Sequence, residues 1–224
     1  MCGRFVMKSS QMELADFFQL AASVDVPARY NIAPTDAVLA VADTGEGRHW
    51  RVFRWGLIPS WARDIAMGAR MINARSETVF DKPAFRAAIR RRRCIVPADG
   101  FYEWDGKKGE RQPYYIAMAD GKPFGMAAIW EIWESGEGDY IESCALLTTS
   151  ANSLIESFHP RMPVILDPGN WELWLDPTGG ERAALEKLFV SYPADKMAVY
   201  PVGHDVDNPR NDGEQLIIPL EGLG

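Results

Sequence analysis

The chain has 224 residues, 47% of them hydrophobic, and a formal net charge of −7 at pH 7. This length can enclose one substantial core or two marginal ones, and the composition is that of an ordinary globular domain. The acidic balance argues against a protein that binds nucleic acid through a general basic excess, and no apolar run approaches the ~18 residues of a membrane span.

The number and spacing of the cysteines indicate the compartment and the kinds of cross-link to expect. The three cysteines, Cys2, Cys94 and Cys144, are odd in number and widely spaced, which favours a reducing compartment without a disulfide framework. No Cys-x-x-Cys or His-x-x-x-His spacing indicates a structural zinc site. The start of the chain lacks the basic and apolar regions of an export signal. We therefore expect a cytoplasmic protein with no membrane contact and no metal.

The first half of the chain predicts short strands and one capped helix. Ser10 followed by Glu13 forms a capping box, and apolar residues at helical spacing predict a helix over 11–21. A loop is predicted over residues 29–35, and an irregular segment over 56–69. The predicted strands lie at 2–6, 37–42 and 49–55, the last two joined by a Gly-rich turn.

The second half begins with a helix signal, Asp81 followed by Pro83. This helix is expected to reach about residue 92, with the arginines at 90–93 on a solvated face. The remaining predicted strands lie at 94–98, 101–104, 113–118, 124–133, 140–149, 162–166 and 197–202. Helical segments are expected at 151–157, 169–175 and 180–190, a turn at 105–109, a loop at 204–213 and a tail at 216–220.

No repeat or linker divides these elements. Strands come mainly in hairpins with helices at the margins, which is typical of the α+β class. We expect a single domain over residues 1–224, with a mainly antiparallel, barrel-like β-sheet core and peripheral helices.

Cys2 directly follows the initiator methionine, whose removal would expose a thiol and an α-amine on adjacent carbons. The amine titrates near ~7.7–8 and the thiol near ~8.5, so both are partly reactive at cellular pH. This pair favours aldehyde capture, because imine formation followed by thiol addition closes a five-membered thiazolidine. Arg4 lies two residues on, so in a strand it shares a face with Cys2 and would lower the thiol pKa. A small residue in a surface strand is the alternative.

Three further polar clusters could carry chemistry. Alternation puts Asn73, Arg75 and Glu77 on one face, where an amide and a guanidinium suit an oxyanion, and a capped turn is the alternative. Glu103 lies between two aromatic residues, which would raise its pKa towards the range of proton transfer, unless it faces solvent on an edge strand. His159 is held between prolines next to Arg161 and is a candidate general acid–base, or else a structural loop histidine. His49 and His204 are expected to be exposed.

At these residues the sequence strongly resembles the SRAP family, the SOS response-associated peptidase-like proteins that capture abasic sites in single-stranded DNA. The matching motifs follow the family's order across nearly the whole chain: MCGRF at 1–5, RYNIAP at 29–34, RWGLIPSW at 54–61, INARSET at 72–78, CIVPADGFYEW at 94–104, HPRMP at 159–163 and Asn-x-x-Asn-Asp at 208–212. Each motif alone is weak, and together they are specific. The run of arginines at 90–93 is outside them.

The resemblance implies roles for four catalytic residues. Cys2, freed of Met1, would form the thiazolidine with the ring-opened sugar, and Asn73 would orient its amine or the sugar. Glu103 would shuttle protons at the new linkage, and His159 would assist ring opening and imine formation. No cofactor and no metal are implied.

The resemblance also implies a DNA-binding surface. The sequence carries no signal for an oligomer, so a monomer is expected. Its arginines explain how an acidic protein could hold DNA locally, and its stacking surface needs no sequence readout. The residues implied to grip phosphates are Arg4, Arg75 and Arg161. Those implied to contact the splayed strand are Pro34, Trp55, Trp61, Thr149 and Met162.

Two other functions stay open from the sequence. A cysteine peptidase would use Cys2 as nucleophile and His159 as base, and could remove Met1 autocatalytically. A non-covalent single-stranded DNA-binding module would leave Cys2 incidental.

Overall fold

A closed ring of five β-strands forms the centre of the molecule in the computed structural model, which describes residues 2–21, 25–107, 110–136 and 138–220. The ring runs from the strand Tyr140–Ser150 through Arg48–Trp55, Ala37–Asp43, Arg93–Ala98 and Phe124–Glu134 back to Tyr140–Ser150. Closure pairs every strand on both sides and buries the inward-facing apolar side chains.

The described strands and helices are labelled in chain order. The strands are β1 Phe5–Met7, β2 Arg29–Ile32, β3 Ala37–Asp43, β4 Arg48–Trp55, β5 Asn73–Arg75, β6 Arg93–Ala98, β7 Gly100–Asp105, β8 Gln112–Met118, β9 Phe124–Glu134, β10 Tyr140–Ser150, β11 Arg161–Pro163, β12 Ile165–Leu166 and β13 Met197–Pro201. The α-helices are α1 Gln11–Phe18, α2 Ala88–Arg91, α3 Trp171–Leu175 and α4 Arg182–Glu186, and short 3₁₀ segments cover 65–70, 168–170, 194–196, 204–207 and 214–217. No described helix is both long and apolar enough to cross a membrane.

A second sheet of five antiparallel strands, in the order β13-β8-β7-β1-β2, packs beside the ring. The Phe5 ring of β1 lies edge-on against the Trp55 ring of β4, with centroids 5.2 Å apart. Residues of both sheets therefore share one hydrophobic core. The predicted fold class is confirmed: α+β, mainly antiparallel, barrel-like at its centre, with helices at the periphery. The pairings of β10 with β4 and β5 are the parallel exceptions.

The capping box predicted for α1 is present. The Ser10 hydroxyl accepts from the Glu13 backbone N–H, and the Glu13 carboxylate accepts from the Ser10 N–H. The helix ends earlier than predicted because Gln19 adopts a left-handed conformation with φ of 55°. Side-chain capping thus set its start correctly, and the backbone turn at Gln19 set its end.

The long helix predicted from Pro83 to about residue 92 is wrong. Residues 77–87 form turns, and only Ala88–Arg91 is helical. The expectation of a solvated face for all four arginines is also wrong, because Arg93 begins β6 and is 2% exposed. Its guanidinium donates to four backbone carbonyls, those of Ile89, Arg90, Trp174 and Asp176.

The loop predicted over 29–35 contains a strand, β2, which pairs with β1. Its partners come from the far end of the chain: Asp212 accepts from the Tyr30 N–H and from Arg29, both at 2.6 Å. These contacts have no local signature in the sequence. The turn predicted at 105–109 lies partly outside the described residues.

Candidate active site and nucleic-acid interface

The segment before β1 places Cys2 next to Glu103. The Tyr102 N–H donates to the Arg4 carbonyl at 3.1 Å, so residues 2–4 run along β7 without forming a ladder of their own. Cys2 is fully buried in the core that also holds Phe5 and Phe101. Glu103, two residues on from Phe101, faces this same side of β7.

Arg4 and Cys2 do not act as a pair. The Arg4 guanidinium donates to Asn31 Oδ1 at 2.9 Å and to the Val206 carbonyl at 3.0 Å. Burial raises the pKa of the Cys2 thiol, and the negative charge of Glu103 raises it further. The prediction that Arg4 lowers the thiol pKa is therefore wrong, because residues 2–4 are not a regular strand and the guanidinium is engaged elsewhere.

Asn73 connects the barrel to the N-terminal segment. It begins β5, which pairs in parallel with β10, and its Nδ2 donates to the Cys2 carbonyl at 2.9 Å. Its Oδ1 is buried and accepts no hydrogen bond from the described residues. Ala74 is buried and Arg75 is exposed, as the predicted alternation requires. The side-chain amide thus fixes the backbone of Cys2 and keeps one acceptor available.

Glu103 and His159 line one cavity of about 400 Å³, together with Trp104 and Arg111. The His159 loop reaches this position because the Phe158 ring packs on Tyr114, with centroids 4.5 Å apart. Tyr114 lies directly across from Glu103 on β8. Glu103 is 5% exposed, and burial raises the pKa of its carboxyl. The buried carboxyl is thus suited to hold a proton at a higher pH than an exposed one.

The tautomer of His159 follows from its backbone contact. The Arg161 N–H donates to His159 Nδ1 at 3.0 Å, so Nδ1 carries no proton and the neutral ring carries its proton on Nε2. Partial burial lowers the pKa of His159, and the Arg161 charge lowers it further. At neutral pH the ring is therefore neutral and presents an Nε2–H donor.

Glu77 pairs with Arg161, a contact that the sequence did not predict. The Arg161 guanidinium forms a two-point pair with the Glu77 carboxylate, one of its bonds measuring 2.9 Å, and also donates to the Thr148 carbonyl. Arg161 lowers the pKa of Glu77 through this pair. The alternation that grouped Asn73 with Arg75 also includes Glu77, so the signal was present without its partner.

Asn73 opens onto a groove that carries positive charge. This cavity of about 560 Å³ is lined by Trp61, Arg70, Asn73, Arg75 and Lys82 among other residues. Trp61 is 56% exposed, which leaves its indole available for stacking. Arg70 and Lys82 were not among the predicted binding residues, although both lie in the range 63–93, where arginines and lysines are frequent.

Three residues expected to contact DNA have buried side chains. Trp55 and Met162 are 0% exposed and Thr149 is 5% exposed. Trp55 donates to the Ile72 carbonyl, and Thr149 donates to the Phe189 carbonyl, both at 2.9 Å. Each of these side chains completes the core or a backbone contact, and the contact of these residues with a strand stays a prediction. Pro34 is half-buried in the turn between β2 and β3.

The comparison with protein families agrees with this geometry. A family profile described as SOS response associated peptidase (SRAP) matches residues 1–209. The chain belongs to the SRAP family. The predicted family is thereby confirmed. Cys2, Asn73, Glu103 and His159 lie in the motifs that resemble this family, and the fold brings them close together.

Relatives cover the whole SRAP chain. The abasic site processing protein YoqW of Bacillus subtilis (strain 168) is 38% identical over 221 residues, which are 97% of this chain and 99% of the relative. The abasic site processing protein YedK of Escherichia coli (strain K12) is 30% identical over 98% of this chain and 100% of its own length. A crystal structure of a protein from Bacteroides thetaiotaomicron superposes with a TM-score of 0.87 at 27% identity, covering 98% of this chain and 100% of that protein.

Proposed function

We propose that this protein processes abasic sites in single-stranded DNA by covalent capture through Cys2 once Met1 is removed. The observation that best supports this function is the group of side chains around Cys2. Asn73 donates a hydrogen bond to the Cys2 carbonyl, Glu103 lies beside the thiol, and His159 lines the same cavity as Glu103. The names of the relatives agree with this substrate. A cytoplasmic monomer that shields lesions in the SOS response is part of the proposal.

The raised pKa of the thiol favours an order of steps. The neutral α-amine attacks the sugar aldehyde carbon, water leaves and an imine forms. The Cys2 sulfur then adds to the imine carbon, and the thiol proton passes to the nitrogen, closing the thiazolidine. Because burial and Glu103 keep the thiol protonated, the amine is the first nucleophile; α-amines in model peptides titrate near ~7.7–8.

Glu103 and His159 suit the two proton transfers. The carboxyl of Glu103, with its raised pKa, can donate to the hydroxyl that leaves as water and take back the proton that the nitrogen releases as the imine forms. It can then pass a proton to the nitrogen and accept that of the thiol as the sulfur adds. The Nε2–H of neutral His159 can donate to the ring oxygen of the closed sugar, which promotes the aldehyde form. Asn73 Oδ1 is placed to accept from the freed α-amine of Cys2.

The groove beside Asn73 supports a single-stranded substrate. An exposed indole stacks on any base, and cations at Arg70, Arg75 and Lys82 attract phosphates without reading sequence. A duplex would keep its bases stacked away from Trp61. Local cations thus allow an acidic protein to hold DNA.

The test is crosslinking to a single-stranded oligonucleotide with one abasic site, resolved on a denaturing gel. We expect a heat-stable shifted band that Cys2→Ala abolishes and that Cys94→Ala, which alters a cysteine buried in the barrel, retains. Native binding without a band would instead identify a non-covalent module. Hydrolysis of a peptide that needs Cys2 and His159, without a band, would identify a peptidase.

A further inference from the structure

A second cavity lies beside the one that holds Glu103 and His159. It encloses about 390 Å³ and is lined by Arg4, Trp104, Arg111, His204 and Asp207. Trp104 and Arg111 line both cavities, so the two meet along the β7–β8 hairpin. Arg111 and His204 belong to none of the sequence motifs that the family match rests on.

The charges of this cavity favour an anion. Its one carboxylate is already engaged: Asp207 accepts from Trp104 Nε1 at 2.6 Å and faces His204 Nδ1 at 2.9 Å. Arg111 is exposed and forms no ion pair within the described part of the chain. The hydrogen bonds of Arg4 use Nη1 alone, which leaves its other nitrogen donors for a ligand.

The ligand class follows from guanidinium groups beside an indole. Arginine forks bind phosphate oxygens at two points, and tryptophan offers an aromatic surface to a base. The volume falls within the ~300–1,000 Å³ of small-ligand sites. This cavity adjoins the one that would hold the abasic site. The part of a bound strand that would reach it is therefore the nucleotide next to the lesion.

We propose that Arg4, Trp104, Arg111 and His204 form a nucleotide subsite that holds the strand on one side of the abasic site. This inference rests on the proposed function. In it, the strand bends around the end of the β7–β8 hairpin, with the lesion in the cavity of Glu103 and the neighbouring phosphate at Arg111.

Equilibrium binding tests the subsite without chemistry. A labelled 12-nucleotide oligothymidine is titrated by fluorescence anisotropy into Cys2→Ala protein at several salt concentrations. Adding Arg111→Ala should weaken binding about 5-fold and reduce the slope of log K against log salt by about 0.7, the loss of one phosphate contact on a single strand. The matched control is Arg48→Ala, which removes an exposed arginine from a different cavity, lined by Asp43 and Glu172, and should leave both quantities unchanged.

Crosslinking then tests the position along the strand. Two abasic oligonucleotides carry nucleotides on only the 5′ side or only the 3′ side of the lesion. Arg111→Ala should slow adduct formation at subsaturating DNA for one of the two and leave the other at the wild-type rate. Equal rates for wild type and Arg111→Ala on both oligonucleotides, or an equal slowing on both, would overturn the subsite.

The two proposals fail in distinguishable ways. If wild-type protein forms the Cys2-dependent band while Arg111→Ala binds like Arg48→Ala, the subsite is wrong and the crosslinking function stands. If wild-type protein forms no band, the crosslinking function is wrong whatever Arg111 does. Thermal unfolding of both arginine variants verifies folding, which these exposed positions are not expected to disturb.

Discussion

Burial controls the protonation of the three reactive side chains around the N-terminus. It raises the pKa of the Cys2 thiol and of the Glu103 carboxyl, and it lowers the pKa of His159. At neutral pH all three shifts favour the uncharged form. In the reaction that we propose, the freed α-amine would then be the first nucleophile, and Glu103 and His159 would be the proton donors near the aldehyde.

The raised pKa of Glu103 predicts a stability cost at neutral pH. A carboxyl whose folded pKa exceeds its unfolded value of ~4.3 stabilises the fold fully below that value and loses this contribution as the pH rises through the folded pKa. Glu103→Gln should therefore have a higher urea midpoint than wild type at pH 8, and the difference should vanish near pH 4. The same variant should slow crosslinking about 10-fold or more, because the amide neither donates nor accepts an acidic proton.

Urea unfolding at several pH values checks this prediction. Glu172→Gln is the control, since Glu172 is exposed on α3 and should show no pH-dependent difference from wild type. If Glu103→Gln and wild type keep equal midpoints from pH 4 to pH 8, burial does not perturb this carboxyl.

Arg93 connects two elements that are far apart in the sequence, β6 and α3. Its buried guanidinium donates to the carbonyl of Trp174 in α3 and to that of Ile89 in α2, and burial lowers its pKa. Arg93→Met preserves length but leaves buried acceptors without donors. We expect a loss of about 3 kcal/mol in the free energy of unfolding, measured with urea.

Arg91 provides the matched control for Arg93. It is exposed in the same arginine run, so Arg91→Met should change stability by no more than about 0.5 kcal/mol. Equal losses in the two variants would mean that the Arg93 contacts do not hold the elements together.

Local patterns predicted the elements whose causes are local. The capping box at Ser10 located α1, and apolar runs located the strands of the ring to within one or two residues. Long-range contacts decided the rest. Turns replace the helix that was predicted after Pro83. Arg93 is buried because it donates to carbonyls more than 80 residues away, and the backbone of β2 is bound by Asp212.

The site shows the same division. Asn73, Glu103 and His159 could be selected by residue type. Their convergence near Cys2 depends on a side-chain hydrogen bond, the β7–β8 pairing and the contact of Phe158 with Tyr114. The burial of Trp55, Thr149 and Met162 could not be deduced from their motifs, because a motif conserves core and surface positions alike.

For the whole molecule, the net charge of −7 is compatible with the DNA groove that we propose because the charges are unevenly distributed. Cations line the groove beside Asn73, whereas acidic side chains line the cavity of Asp43, Glu172 and Asp176. At an ionic strength of 0.15 M, charges more than about 8 Å apart are largely screened, so the strand responds to the local cations.

Asn31 joins the two ends of the chain. It is 0% exposed, its Nδ2 donates to the carbonyls of Val206, Asn208 and Asn211, and its Oδ1 accepts from Arg4. Asn31→Ala should cost about 2–3 kcal/mol of stability, since it leaves buried carbonyls and a guanidinium unsatisfied. It should also increase hydrogen exchange over 204–212 while the strands of the ring stay protected.

The exposed Asn208 separates this long-range role from a local one. Among the described residues its side chain accepts from the Arg210 N–H alone, at 3.1 Å within its own loop, so Asn208→Ala should stay within about 0.5 kcal/mol of wild type. Hydrogen exchange that rises equally across the ring in Asn31→Ala would show general destabilisation instead of a released loop. An unchanged exchange rate over 204–212 would show that other contacts, such as Asp212 with β2, hold the loop without Asn31.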